Sequence, residues 1–333
     1  MNYCPNKNRY LNMPYSRVGE SGLKLPLISL GLWHNFGSDD DYKNMKEMCR
    51  TAFDLGITHF DLANNYGPLP GSAEENFGKI LKEDFLSHRD ELIISTKAGY
   101  RMWNGPYGDG GSRKYLLASL DASLKRLNLP YVDIFYHHCM DKDTPLEESM
   151  GALYQAVKSG KALYAGLSNY DGETMEAAAE ILKDLHCPFV INQNRYNILD
   201  RTIEKNGVIS SAKKLKKGII AFSPLNQGIL SDRYLERIPE NSRAAKNEFL
   251  KASEITSARV RVLGKLKSLA EERGQTLAQM ALSWVLKDTA VTGVLIGASK
   301  PSQIKENVGL INASGFTEGE LKDIDALAEE FYR

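Results

Sequence analysis

Leu92-Ile93-Ile94-Ser95-Thr96-Lys97 is a short apolar run that stops on a lysine. An amphipathic stretch, Ser112–Leu127, follows, and a second apolar run, Val132–Tyr136, leads into His137-His138. Strand, helix, strand in that order make a parallel βαβ unit. The pattern repeats outward in both directions. Further apolar runs stand at Pro26–Leu32, Ile57–Leu62, Leu163–Leu167, Phe189–Ile191, Gly218–Phe222 and Gly293–Ile296, which makes eight candidate strands. Helix-like stretches such as Asp41–Leu55, Leu146–Lys158 and Leu277–Leu286 lie between them. Eight alternating units predict a closed (β/α)8 TIM barrel over about residues 25–312 of one domain, 1–333. The spacing by itself leaves an open doubly wound sheet standing as the alternative.

The segments outside this repeat have assigned places. Arg9–Lys24, with Gly19 and Gly22, reads as an N-terminal hairpin capping the barrel floor. Gly99–Ser112 and Gly228–Arg259 read as extended loops on the C-terminal face, where barrels build their pockets. Leu321–Phe331 reads as a final helix packed outside or covering part of the mouth.

The bulk numbers narrow the function classes. Lys plus Arg equals Asp plus Glu, at 42 each in 333 residues, so no charge excess points to nucleic acid or an anionic membrane. The cationic run Lys213–Lys217 suits a helix C-terminus. No apolar run approaches the roughly 20 residues of a membrane span, and Met1–Arg9 has no apolar signal core. Cys4, Cys49, Cys139 and Cys187 form no C-x-x-C pair, so reduced thiols and a cytoplasmic protein are expected.

In a barrel, polar residues at the C-terminal strand ends are the candidates for chemistry. Asp61, Lys97 and His138 close the second, third and fourth runs, and Tyr66 follows in Asn64-Asn65-Tyr66-Gly67. If Ile134, Tyr136 and His138 share one strand face, His137 points the other way. A free tyrosine, with a pKa near 10, is a poor acid at neutral pH. An ammonium nearby lowers that value. Lys97 would supply the charge, Asp61 would hold Lys97, and His138 would orient a substrate carbonyl.

A second group of residues suits a cofactor. Gly166-Leu167-Ser168-Asn169 and Asn192-Gln193-Asn194 offer side-chain amides for a carboxamide. Phe222-Ser223-Pro224-Leu225 offers a flat ring for stacking. Gly297 through Asn307 reads as strand end, loop and helix start, a natural phosphate site, with Ser302 equally readable as a plain N-cap. Gly105–Gly111 is Gly-rich but lacks the dinucleotide-binding order. His34, His59 and His186 are scattered, with no metal-ligand spacing, which counts against a metal-dependent lyase or isomerase.

Gly56-Ile57-Thr58-His59-Phe60-Asp61 with Tyr66, Ser95-Thr96-Lys97, Asp133–His138, Gly166–Asn169, Phe222–Leu225 and Ser299–Asn307 together resemble the signatures of the aldo-keto reductase family, over about Tyr15 to Phe331. The resemblance implies Tyr66, Asp61, Lys97 and His138 as catalytic residues. It implies NADPH, held by Trp33, Ser168, Asn169, Gln193, Phe222, Ser223, Pro224, Leu225, Gln227, Gly228, Gly297, Ser299, Lys300, Gln303, Glu306 and Asn307. It implies an aldehyde pocket of Trp33, Tyr66, His138, Arg101 and Trp103.

Gly31–Gly37, Ser72–Gly78, Ala98-Gly99-Tyr100, Met102-Trp103 and Gly105–Lys114 resemble one branch, that of bacterial reductases of L-glyceraldehyde 3-phosphate and the potassium-channel β subunits. That branch implies reduction of small aldehydes such as glyceraldehyde 3-phosphate and methylglyoxal, and a homo-oligomer. Its channel side implies an alternative, an NADP(H)-binding redox-sensing regulatory subunit with slow turnover. Three positions depart from the resemblance. Gln303 stands where many members carry an arginine. Cys139 follows the histidine where close relatives carry arginine, and Arg101 is basic where they are not.

Overall fold

All eight apolar runs become barrel strands in the computed structural model, which describes residues 3–240, 242–246 and 250–332. Strands β1 (Tyr15–Arg17) and β2 (Lys24–Pro26) form an antiparallel hairpin. The barrel strands are β3 (Ile28–Gly31), β4 (His59–Asp61), β5 (Ile93–Ala98), β6 (Val132–His137), β7 (Ala162–Ser168), β8 (Phe189–Arg195), β9 (Gly218–Phe222) and β10 (Val291–Ile296). Each pairs in parallel with the next, and β10 returns to β3, closing a (β/α)8 barrel. The open-sheet alternative is thereby removed.

Helices follow every barrel strand: Tyr42–Asp54, Ser72–Ile80, Arg113–Leu127, Leu146–Lys158, Gly172–Asp184, Val208–Leu215, then Ser257–Glu272 with Leu277–Val285, and Pro301–Val308. Strands β5 and β8 outrun their apolar patterns, continuing through Lys97-Ala98 and Asn192–Arg195. The reason is positional: near the mouth, inward-facing residues are polar, so hydrophobicity fades before the backbone leaves the sheet.

The hairpin closes the floor. Val18, Leu23 and Leu25 are buried in one cluster with Ile134, Tyr136, Ile191, Ile220 and Leu295 from the barrel interior. Tyr136 is fully buried in that interior. A Cβ on Gly166 would lie 2.5 Å from its ring, so only glycine fits there.

The lysine run closes the helix Val208–Leu215, with Lys213 paired to Asp288 at 2.7 Å and Lys214 to Glu176 at 2.5 Å. The last helix, Glu318–Glu330, packs outside against Ser257–Glu272. Just after it, the Tyr332 hydroxyl donates to the Leu199 carbonyl at 3.1 Å. The four cysteines are free thiols. Among the described residues, no helix is long and apolar enough to cross a membrane.

Candidate active site

Three strand ends and one loop bring the four candidate residues together at the mouth. Asp61 ends β4 in register with Ser95 of β5, and Lys97 of β5 is in register with Tyr136 of β6. Asp61 and Lys97 are fully buried and ion-paired. The Lys97 ammonium also donates to the Leu62 carbonyl at 2.7 Å and to the Tyr66 hydroxyl oxygen at 3.3 Å. The Tyr66 ring lies 5.9 Å from the His138 ring and 6.1 Å from Trp33. Strand parity holds: His138 faces Tyr66, while His137 bonds the Tyr170 hydroxyl at 2.7 Å on the opposite face.

The electrostatics differ from the sequence expectation at one point. Lys97 is expected to lower the Tyr66 pKa. In the structure burial pushes it well above its ordinary 10.0, and the Asp61 carboxylate adds to the rise. Asp61 offsets most of the ammonium charge, and desolvating a phenolate then dominates. Burial also lowers Lys97, against the pull of Asp61. His138 is held far below 6.5 by burial, then by Lys97 and His137, and so is neutral. Its Nδ1 is buried without a hydrogen-bond partner.

The cofactor candidates line the same rim. Ser168 ends β7 in register with Gln193. The Asn169 amide donates to the His138 carbonyl at 3.0 Å. The Gln193 amide is turned inward and donates to Asp61 at 3.1 Å, so it serves the catalytic carboxylate as well as the rim. Phe222 ends β9, and Ser223, Pro224, Leu225, Gln227 and Gly228 follow as one tight turn.

Past β10, Gly297 and Ser299 lead into Pro301–Val308, whose N-cap is Lys300 with Pro301 at the first helical position. Ser302 is therefore not the N-cap. Gln303 instead accepts from the Ser299 backbone at 2.8 Å and hydroxyl at 3.1 Å, holding the loop. Asn307 is buried, and the Glu306 carbonyl accepts from Gln279.

Two substrate candidates stand apart. The Arg101 side chain is exposed and paired with Asp109 at 3.3 Å, and Trp103 is exposed with its ring 6.1 Å from Tyr115. Their neighbour Tyr100 is the residue that meets the site, with its ring 4.5 Å from His138. The Tyr115 hydroxyl, which itself accepts from Asn64 at 3.0 Å, donates to the Tyr100 carbonyl at 2.7 Å and so holds it in place.

Sequence reasoning also missed Arg195 and Arg243. Arg195 ends β8 opposite Phe222, 5.8 Å above that ring. Arg243 is largely buried, donates to the Gln227 side-chain oxygen Oε1, and points a guanidinium nitrogen to within 3.7 Å of where a Gly297 Cβ would stand. Among the described residues no carboxylate pairs with it, and burial lowers its pKa. A buried, unpaired guanidinium is costly unless an anion completes it. It sits between the turn after β9 and the helix start after β10, so the residues present fit a dinucleotide phosphate.

Comparison with known proteins agrees with this geometry. A model of the aldo/keto reductase family matches residues 27–329. The chain is 54% identical to the L-glyceraldehyde 3-phosphate reductase of Escherichia coli (strain K12), covering 98% of this chain and 95% of that one. It is 36% identical to a putative voltage-gated potassium channel subunit beta of Schizosaccharomyces pombe, over 95% and 93% of the two chains. A probable subunit of the same kind from Arabidopsis thaliana is 34% identical over 90% and 92%. With the barrel closed, its strand-end residues gathered at one mouth and nearly the whole chain matched, the protein belongs to the aldo/keto reductase family.

Proposed function

We propose that the protein reduces small aldehydes, of the class that includes glyceraldehyde 3-phosphate and methylglyoxal, to alcohols, with NADPH as the hydride donor. The observation that carries this reading is the buried Asp61–Lys97–Tyr66 array with neutral His138 beside it. When bound, the reduced nicotinamide supplies the hydride that the carbonyl carbon gains.

The protein's own residues handle the proton. Lys97 donates to the Tyr66 oxygen, which leaves the phenol's own hydrogen to point elsewhere, into the cleft. Burial keeps Tyr66 protonated at neutral pH, the state an acid needs at the start. As the carbonyl oxygen gains charge, Tyr66 gives it this proton, and the ammonium of Lys97 steadies the phenolate left behind. His138 has no partner on Nδ1, so the tautomer with hydrogen on Nε2 avoids burying an unmet donor. That hydrogen orients the carbonyl. Asn169 and Gln193 would hold the carboxamide and Phe222 the nicotinamide face. Arg243, Ser299 and Lys300 would hold the phosphates. Gln303 carries no charge, so preference for NADPH over NADH falls to Arg243 and Lys300.

The same reading takes the protein as a cytoplasmic homo-oligomer. The alternative, a redox-sensing subunit, draws on the 36% identity to the chain named as a channel subunit. The 54% identity to a named reductase favours the enzyme.

Following nicotinamide absorbance with NADPH and NADH, against phosphorylated and unphosphorylated aldehydes, separates the two. Turnover is expected; tight cofactor binding without turnover on any aldehyde would favour the sensor. Tyr66→Phe is expected to lower kcat by about 10²–10⁴-fold, the usual contribution of a positioned acid, while cofactor still binds. Full turnover in that variant removes Tyr66 from its role.

A further inference from the structure

His59, a buried titratable residue with no part in the scheme above, lies inside the barrel two residues before Asp61. Its Nδ1 is 2.9 Å from the Ser29 hydroxyl and its Nε2 is 3.0 Å from the Ser95 hydroxyl. The Ser95 hydroxyl lies 2.6 Å from Asp61 Oδ1. All four residues are fully buried.

Donor and acceptor chemistry fixes the direction of every link. Asp61 is ion-paired with Lys97, so its oxygens only accept, and Ser95 must donate to Oδ1. The Ser95 oxygen is then free to accept, and His59 Nε2 must carry the hydrogen that it accepts. Burial lowers the His59 pKa to about 4 against the pull of Asp61, so the ring is neutral, Nδ1 is an acceptor and Ser29 donates to it. One consistent arrangement results, running Ser29 to His59 to Ser95 to Asp61.

We propose that His59, acting through Ser95, is a positioning residue of the catalytic site: the directed chain stabilises the charge on the Asp61 carboxylate and aims its other oxygen at Lys97, so that Lys97 keeps the proton on which Tyr66 depends. The ion pair is enclosed, and in such surroundings a lysine readily passes its proton to its partner carboxylate and both become neutral. Two hydrogen bonds oppose that transfer by holding charge on Oδ1, one from Ser95 and one from Gln193 at 3.1 Å. Polarisation along a chain of hydrogen bonds strengthens its last link. Without the Ser95 link Lys97 spends more time neutral, the Tyr66 phenolate loses its cation, and the tyrosine becomes a weaker acid. The ionisable groups facing Tyr66 are Asp61 from β4, Lys97 from β5, Tyr136 of β6 and His138 just after it, and Tyr100 from the loop after β5. Of these, the chain touches Asp61 alone.

The inference rests on the proposed aldehyde reduction, and its test has two independent arms. The first needs no activity: nitrogen-15 NMR of the wild-type histidines should show His59 as the neutral Nε2–H tautomer from pH 7 down to pH 5. An Nδ1–H tautomer, or a charged ring, overturns the directed chain. The second arm compares Ser95→Ala with Ser95→Thr, which keeps the hydroxyl. Ser95→Ala should lower kcat about tenfold and move the high-pH limb of the reduction profile upward by about one pH unit, a tenfold change in the tyrosine's ionisation. Ser95→Thr should restore both. A fall in kcat with the limb unmoved is mere structural damage and overturns the positioning role, as does a profile identical to wild type. Wild-type enzyme that turns over no aldehyde defeats the proposed function instead, and leaves the NMR arm to decide the chain.

Discussion

At the scale of single residues, Arg243 separates what binds from what folds. Among the described residues its guanidinium is buried against an amide and no acid, so in the cofactor-free protein it is a burden. Arg243→Met should therefore leave the cofactor-free Tm unchanged or raised. NADPH should bind about thirtyfold more weakly, the effect of losing about 2 kcal/mol from a buried charge contact. Thermal shift with and without NADPH checks both halves, and a variant that loses stability but keeps affinity would make Arg243 structural. Nothing in Ser242-Arg243-Ala244 marks it in the sequence, because its meaning comes from Gly297, far along the chain. His59 is a similar case: read along the chain it is one scattered histidine, and only closure of the barrel sets Ser29 and Ser95 against its two nitrogens. Asp61, Lys97 and His138 were legible for the opposite reason, since each ends an apolar run and strand parity assigns its face.

At the scale of elements, the strands were legible and the loops were not. Period and apolar runs determine a buried strand, whereas a loop's course depends on contacts distant in sequence. Arg101 and Tyr100 illustrate this: adjacent in one loop, one turns out to Asp109 and the other in to His138. The exits from the barrel are also unusual. Asn35, Asn169, Ser223 and Gln227, on the segments after β3, β7 and β9, have φ of 66°, 60°, 51° and 59°, a strained region for residues other than glycine. Such strain persists where surrounding structure enforces it, and it accumulates here around the mouth.

Strand β8 also carries a cation to this rim. Arg195 is half exposed, and its acidic partner Asp200 is distant at 3.9 Å. An aldehyde bearing a phosphate would find it available. Arg195→Gln should raise KM for glyceraldehyde 3-phosphate about fivefold, as for one exposed charge pair, and leave KM for glyceraldehyde unchanged. Added salt should shrink the difference. Equal effects on both substrates would deny Arg195 the phosphate.

At the scale of the whole molecule, buried histidines set an acid limit. Burial lowers both His59 and His137 from 6.5 to about 4. In the unfolded chain each takes a proton near pH 6.5, while the folded protein refuses it until about pH 4. The unfolded state thus binds more protons across that window, so stability falls as pH drops from about 6.5 toward 4. Each histidine contributes a slope of about 1.4 kcal/mol per pH unit. A Tm scan from pH 7.5 to 4.5 should show this decline beginning near pH 6.5. A flat profile to pH 5 would mean that these rings are not buried as neutral groups.

The hairpin beneath the barrel has one more consequence. With Val18, Leu23 and Leu25 packed beneath the interior side chains, the floor of the barrel is closed and the chemistry is left to the mouth. The hydrogen-bonded chain from Ser29 to Asp61 runs inside the barrel, above that apolar seal. With the floor closed, whatever reaches Tyr66 comes from the side of the mouth.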